Sequence, residues 1–178
     1  VHKGYSPPVT LRRPPHQVVA TVLGAGTMGA QIAAHLANAG VKTFLLDIVP
    51  RDAVDSKDRN ARNQIVAKAA KGLLKAKQPA YRSKDFASRI TLGNLDDDLE
   101  RAVSKSDLVI EAVIERLDIK HSVFEKVAAH RRPGSIVTTN TSGIRLAALL
   151  EGPGLDDDFK RSFLVTHFFN PVRYMRLL

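Results

Sequence analysis

A chain of 178 residues is long enough for one domain with a buried core and too short for a second full one. It has no cysteine, which excludes thiol nucleophiles, Cys-x-x-Cys redox pairs, disulfides and thiolate metal sites. The formal charge of +9 is concentrated between Arg51 and Lys84, where ten Lys or Arg stand against three Asp. A solvated helix face, or attraction of a phosphate-bearing substrate, fits that excess. Nucleic acid is not expected, because Tyr81 and Phe86 are the only aromatics nearby and no reading helix accompanies them.

In chain order, residues 1–16 read as an extended, Pro-rich arm without the apolar core of a signal peptide, and residues 17–178 as the folded domain. No run approaches a membrane span, and a cytoplasmic protein is expected. Val18 to Leu23 is an apolar strand, and Gly29 to Ala39 is helical. A second apolar run ends at Asp47. Ile65, Ala69 and Leu73, with Val66, Ala70 and Leu74, keep an apolar face at helical spacing, while Lys68, Lys71 and Lys75 fall on another side. Gln78-Pro79 closes that basic helix. Ile90 to Leu92 predicts a short strand, and Leu108 to Ile110 a core strand. Leu117 to His130 predicts a helix stopped by Pro133-Gly134. Ser135 to Thr139 is β-branched, Ile144 to Leu150 a short helix, and Phe163 to Thr166 the last strand. Asp96 to Asp98 and Asp156 to Asp158 lack calcium-loop spacing and are expected to be solvated loop acids, with no metal.

The most specific local signal is Gly24-Ala25-Gly26-Thr27-Met28-Gly29. It lies between a predicted strand and a helix and is followed by an acid, Asp47, about 20 residues on. Gly24 permits the tight turn, Gly26 lets the backbone approach a pyrophosphate, and Gly29 lets the helix pack closely. The helix N-terminus offers free N–H groups to phosphate. Asp47 suits two ribose hydroxyls and would repel a 2′-phosphate, so NAD is expected rather than NADP. Strands alternating with helices predict an α/β, doubly wound parallel sheet of Rossmann type with helices on both faces. Gly24, Asp47, Ala112, Asn140 and His167 each lie just past a predicted strand, hence along one crevice.

Four stretches in this order resemble the NAD-binding domain of 3-hydroxyacyl-CoA dehydrogenases. They are Val22 to Gly29, Ile110-Glu111-Ala112-Val113-Ile114-Glu115, Asn140-Thr141-Ser142, and His167-Phe168-Phe169-Asn170-Pro171. The resemblance covers residues 18–178. It implies oxidation of 3-hydroxyacyl-CoA to 3-oxoacyl-CoA in fatty-acid β-oxidation, with His167 as the base that takes the 3-hydroxyl proton. An imidazole titrating near neutral pH suits that task. The resemblance gives Ser142 and Asn170 polar roles at the reacting centre and the nicotinamide. It places Ala112, Glu115 and Lys120 near the nicotinamide end, with Thr27 and Met28 in the phosphate loop. Helix capping is the competing role for Asn140 to Ser142, and a favourable helix-dipole position that for Glu115. His35, His121 and His130 carry no motif and are expected at the surface or in packing. Gly143 stands where the family usually has a second serine.

The family also has a glutamate partner for the histidine, which would fall just past Leu178, and a helical domain beyond it. The resemblance therefore implies a piece of a longer enzyme, a homodimer or part of a multifunctional protein, taking acyl-CoA as its partner. Lys68, Lys71 and Lys75 are then candidates for the coenzyme A phosphate. Acyl-chain length and the presence of an enoyl-CoA hydratase domain are not legible. Two other readings stand beside this one: a non-catalytic NAD(H)-binding redox sensor, and a dehydrogenase of another small β-hydroxyacid.

Overall fold

The computed structural model describes residues 13–175 and 177; most of the proposed arm, residues 1–12, lies outside the described residues. Six strands form one parallel sheet: β1 (Val19–Leu23), β2 (Lys42–Asp47), β3 (Ile90–Asn94), β4 (Leu108–Glu111), β5 (Ile136–Thr139) and β6 (Phe163–Val165). Their spatial order is β3-β2-β1-β4-β5-β6. The chain first winds outward from β1 through β2 to β3, then returns to the other side of β1 and winds outward again through β6. That reversal beside β1 is the switch point at which such sheets bind ligands.

The connecting helices are α1 (Thr27–Asn38), α2 (Arg59–Arg62), α3 (Gln64–Lys75), α4 (Leu99–Lys105), α5 (Leu117–His130), α6 (Leu146–Leu150) and α7 (Asp157–Arg161). Because side chains alternate across a strand, the sheet has two apolar faces. Val22, Leu45 and Ile110 pack with Ile32, Ala33, Val66 and Leu73 under α1 and α3. Leu23, Val109, Val137 and Phe163 pack with Val103, Phe124 and Phe159 under α4, α5 and α7. Phe124 is fully buried, its ring centroid 5.0 Å from that of Phe163. Truncating it to alanine is expected to cost about 3–5 kcal/mol.

The predicted elements are all found, with shifted ends at several. The basic helix stops at Lys75, before Gln78-Pro79. Pro15–Gln17 form a 3₁₀ turn, so the extended arm gives way slightly earlier than expected. Helices α4 and α7 were not anticipated; α4 follows one aspartate triplet and α7 begins within the other. Those acids are not simply solvated. Asp156 caps α7 by accepting from Phe159 N at 2.7 Å. Asp98 is buried and accepts from Asn94 N, Arg59 and Arg101. Asp97 takes both a nitrogen pair from Arg62 and the amide of Asn94. The local pattern could not show the pairs with Arg59 and Arg62, because those two arginines come from an element more than 30 residues earlier.

Among the described residues, no helix is long and apolar enough to cross a membrane.

Candidate functional site

Register fixes where the site lies. Leu23 pairs with Leu46 on one side and Glu111 on the other, Glu111 with Thr139, and Thr139 with Val165. Gly24, Asp47, Ala112, Asn140 and His167 therefore follow one another along the carboxyl edge of the sheet, as their positions past the strands predict.

Gly24 has φ +97°, a left-handed conformation that an L side chain rarely adopts, and an added Cβ would lie 2.6 Å from the Ala112 carbonyl oxygen. At Gly29 a Cβ would lie 1.8 Å from the Gly24 carbonyl oxygen. These two glycines are thus required by the protein's own packing. Gly26 differs: an added Cβ meets nothing within 4 Å. The fold leaves its approach open, which suits a bound pyrophosphate. Gly26 is also the N-cap of α1, and no side chain covers that cap. Ala30 N is bonded to Gly26 O, so the N–H groups of Thr27, Met28 and Gly29 lie before the first intrahelical bond.

Asp47 closes β2 next to this loop. Its Oδ2 accepts from Ala25 N at 2.5 Å and its Oδ1 from Ile48 N at 2.7 Å. The carboxylate is fixed against the glycine loop, on the β2 side where an adenosine ribose would arrive. The donor set fits a dinucleotide: free N–H groups for phosphate, an acid for ribose and open space above Gly26.

On the β4/β5 side, Met28, Ala112, Val113, Glu115, Lys120, Asn140 and Thr141 line a pocket of about 240 Å³. Glu115 Oε1 accepts from Thr141 Oγ1 at 2.6 Å, Gly143 N at 2.6 Å and Ser142 N at 3.1 Å. Those bonds, the Thr141 hydroxyl first, hold its carboxyl below the usual range. Glu115 therefore grips the loop that carries Ser142, a role the helix-dipole argument did not contain. Lys120 borders the pocket, as expected of a residue near that end, and its ammonium is buried and bonded to both oxygens of Glu111, at 2.7 and 2.8 Å. Its charge is neutralised inside the protein rather than offered openly to a cofactor. Glu111 was visible in the motif without a role; its signal was an acid ending an apolar strand.

His167 is half-buried two residues beyond β6, its ring centroid 4.5 Å from that of Phe169. Its neighbour Phe168 donates from N to Asn140 Oδ1 at 2.9 Å. Asn170 is turned toward α1, where its Oδ1 accepts from Gln31 Nε2 at 2.9 Å, and Gln31 Oε1 accepts from Val172 N. Gln31 carried no motif and could not be found from local sequence. With Gly26, Thr27, Gln31, Gly72 and Leu73, Asn170 lines a cleft of about 590 Å³ between α1 and α3.

Lys68, Lys71 and Lys75 are exposed along a second groove of about 680 Å³ with Asn60, Asn63 and Gln64. Gly72 lines both grooves, so the basic face adjoins the cleft that ends at Asn170. Among the described residues, no ion pair engages these three lysines, whereas Arg59 and Arg62 are paired with Asp98 and Asp97. Two of the histidines without a motif are engaged in packing, while His130 is exposed. His121 Nε2 lies 2.8 Å from Ala148 O. His35 packs edge-on against Phe168, and burial, followed by the Arg82 charge, holds its pKa below the ordinary value.

Residues 19–178 match the family described as 3-hydroxyacyl-CoA dehydrogenase, NAD binding domain. The chain is 46% identical over 167 residues to a probable 3-hydroxyacyl-CoA dehydrogenase of Bacillus subtilis, covering 89% of this chain and 21% of that protein. It is 43% identical to a putative fatty acid oxidation complex trifunctional enzyme of Rickettsia felis, covering 88% of this chain and again 21% of the relative. It thus spans about a fifth of the length of these two relatives. The crystal structure of 3-hydroxybutyryl-CoA dehydrogenase from Escherichia coli K12 superposes with a TM-score of 0.64 at 29% identity, covering 89% of this chain and 31% of that one.

Proposed function

The chain belongs to the 3-hydroxyacyl-CoA dehydrogenase family, as its NAD-binding domain, and on that footing we propose that it is the cofactor-binding part of a longer enzyme that interconverts 3-hydroxyacyl-CoA and 3-oxoacyl-CoA. The observation that carries this reading is the union, on one sheet edge, of the glycine loop and Asp47 with the Asn140-anchored segment bearing His167.

The glycine loop and Asp47 would hold NAD, which would supply a hydride acceptor for C3 of the substrate. Loss of hydride from that carbon requires its hydroxyl to lose a proton, and His167 takes it. In the reverse direction the protonated imidazole returns it. Ser142, held through its backbone by Glu115, offers a hydroxyl beside the nicotinamide pocket. The Asn170 carboxamide, its oxygen occupied by Gln31, keeps its NH₂ for a ligand. The acyl-CoA arm lies beside the glycine loop, with the coenzyme A phosphates over Lys68, Lys71 and Lys75 in the basic groove. The reading makes the complete protein a multidomain enzyme, in keeping with the trifunctional name of the Rickettsia relative.

The test is reduction of a 3-oxoacyl-CoA followed through NADH absorbance, using the complete enzyme with and without His167→Ala. Turnover should be lost in the variant while NADH binding persists. Turnover undiminished by the substitution refutes the role of His167. NADH binding without turnover in the unaltered enzyme favours a redox-sensing module.

A further inference from the structure

One row of the sheet joins a buried carboxylate to a buried hydroxyl. On the face packed under α5, Leu23, Val109, Val137 and Phe163 are buried and apolar. The two residues that end β4 and β5 on that same face, Glu111 and Thr139, are polar and entirely buried. Glu111 accepts four hydrogen bonds: from Val113 N at 2.7 Å, from Lys120 Nζ at 2.7 and 2.8 Å, and from Thr139 Oγ1 at 2.5 Å. The Thr139 hydroxyl, having donated its hydrogen to Glu111, accepts from Thr141 N at 3.3 Å. Thr141 then donates to Glu115.

Burying such an ion pair is a poor way to gain stability, since well-packed apolar residues of similar volume often do as well or better. What the arrangement provides is position. Val113 N, fixed by Glu111, lies 2.9 Å from where a Cβ on Gly24 would stand, so the turn after β4 is the surface on which the glycine loop rests. Thr139 links the same carboxylate to the loop after β5. Both loops line the pocket of about 240 Å³ on the nicotinamide side, and neither reaches Asp47 on the adenosine side.

We propose that Glu111 and Thr139, with Lys120 as the neutralising partner, are positioning residues that lock the turns after β4 and β5 into one wall for the nicotinamide end of the cofactor. The proposal rests on the NAD reading above and goes beyond it by separating the two ends of the ligand.

The experiment measures Kd for NADH and for ADP-ribose, which lacks the nicotinamide, on the unaltered chain, Thr139→Val, Thr139→Ser and the double variant Glu111→Gln/Lys120→Met, with thermal melting of each. Thr139→Val removes one hydroxyl without changing shape, and the double variant removes both buried charges together. Loss of a hydrogen bond to a charged group is expected to weaken NADH by about tenfold, leaving ADP-ribose within about twofold, and Thr139→Ser should restore NADH affinity. The double variant should show the same selective loss. Equal weakening of both ligands in folded protein, or no change in NADH affinity, overturns the proposal. Failure of the unaltered chain to bind ADP-ribose removes the underlying NAD reading instead, and with it the proposal.

Discussion

Phe168 N donates to Asn140 Oδ1 at 2.9 Å, joining the segment after β6 to the residue that follows β5. Two residues earlier, Thr166 N is bonded to Thr139 O, so the chain leaves the sheet between these two anchors. His167 sits between them, and its place on the edge follows from both bonds.

Removing the Asn140 acceptor leaves Phe168 N without a partner. Asn140→Ala is expected to lower stability by about 1–3 kcal/mol and to reduce turnover of the complete enzyme. Asn140→Asp, which keeps an acceptor, should recover more of both. Urea unfolding and steady-state rates check this.

The glycines separate packing from binding. Gly26 has φ −64° and ψ −173°, open to any residue, and nothing stands near its missing Cβ. Gly26→Ala should leave the melting temperature unchanged within about 1 °C, since surface changes without lost contacts are near neutral, yet weaken NADH. Gly29→Ala forces a Cβ into the Gly24 carbonyl and should destabilise by about 1–3 kcal/mol. Melting curves with and without NADH distinguish them.

Asp47 is expected to set the preference between NAD and NADP. NADPH should bind at least about tenfold more weakly than NADH, because a 2′-phosphate would meet a carboxylate already fixed by Ala25 N and Ile48 N. Asp47→Ala should narrow that gap in a fluorescence titration. Equal affinities in the unaltered chain would remove the assignment.

The basic groove makes a kinetic prediction. Replacing Lys68, Lys71 and Lys75 together by Gln in the complete enzyme should raise KM for acyl-CoA and flatten its salt dependence, with kcat nearly unchanged. A KM unaltered at low salt returns these lysines to a solvated helix face.

Acid should loosen the contact between α2 and the turn before α4. Arg62 and Asn94 draw the Asp97 carboxyl down to about 2. At Asp98, burial works against ionisation, but Arg59, Asn94 N and Arg101 together still leave its pKa lowered. Carboxylates depressed in the folded state contribute stability fully above their unfolded value, about 4, and lose it as pH falls through the folded one. Urea midpoints should therefore fall between about pH 4 and 2, and fall less in Asp97→Asn/Asp98→Asn. A midpoint with the same pH slope in that double variant would place the acid sensitivity elsewhere.

Sequence alone determined whatever depends on neighbours within a few residues. The glycine loop, the strand ends and helix Leu117–His130 were legible because turn geometry and apolar periodicity are local. Asp47 was legible because it ends a strand, and its bond to Ala25 N agrees with its expected place. Tertiary structure decided the partners. Nothing in the sequence pairs Lys120 with Glu111; α5 packs over Glu111, and burial then makes pairing obligatory. The triplet at Asp96 to Asp98 reads as a solvated loop until α2 brings Arg59 and Arg62 to it. The contact of the Asn170 carboxamide with Gln31 on α1 had no signal in the sequence. Each of these is a polar contact between residues distant in sequence. Such contacts leave no periodic trace, because their energy arises only when folding removes the water that satisfied both groups.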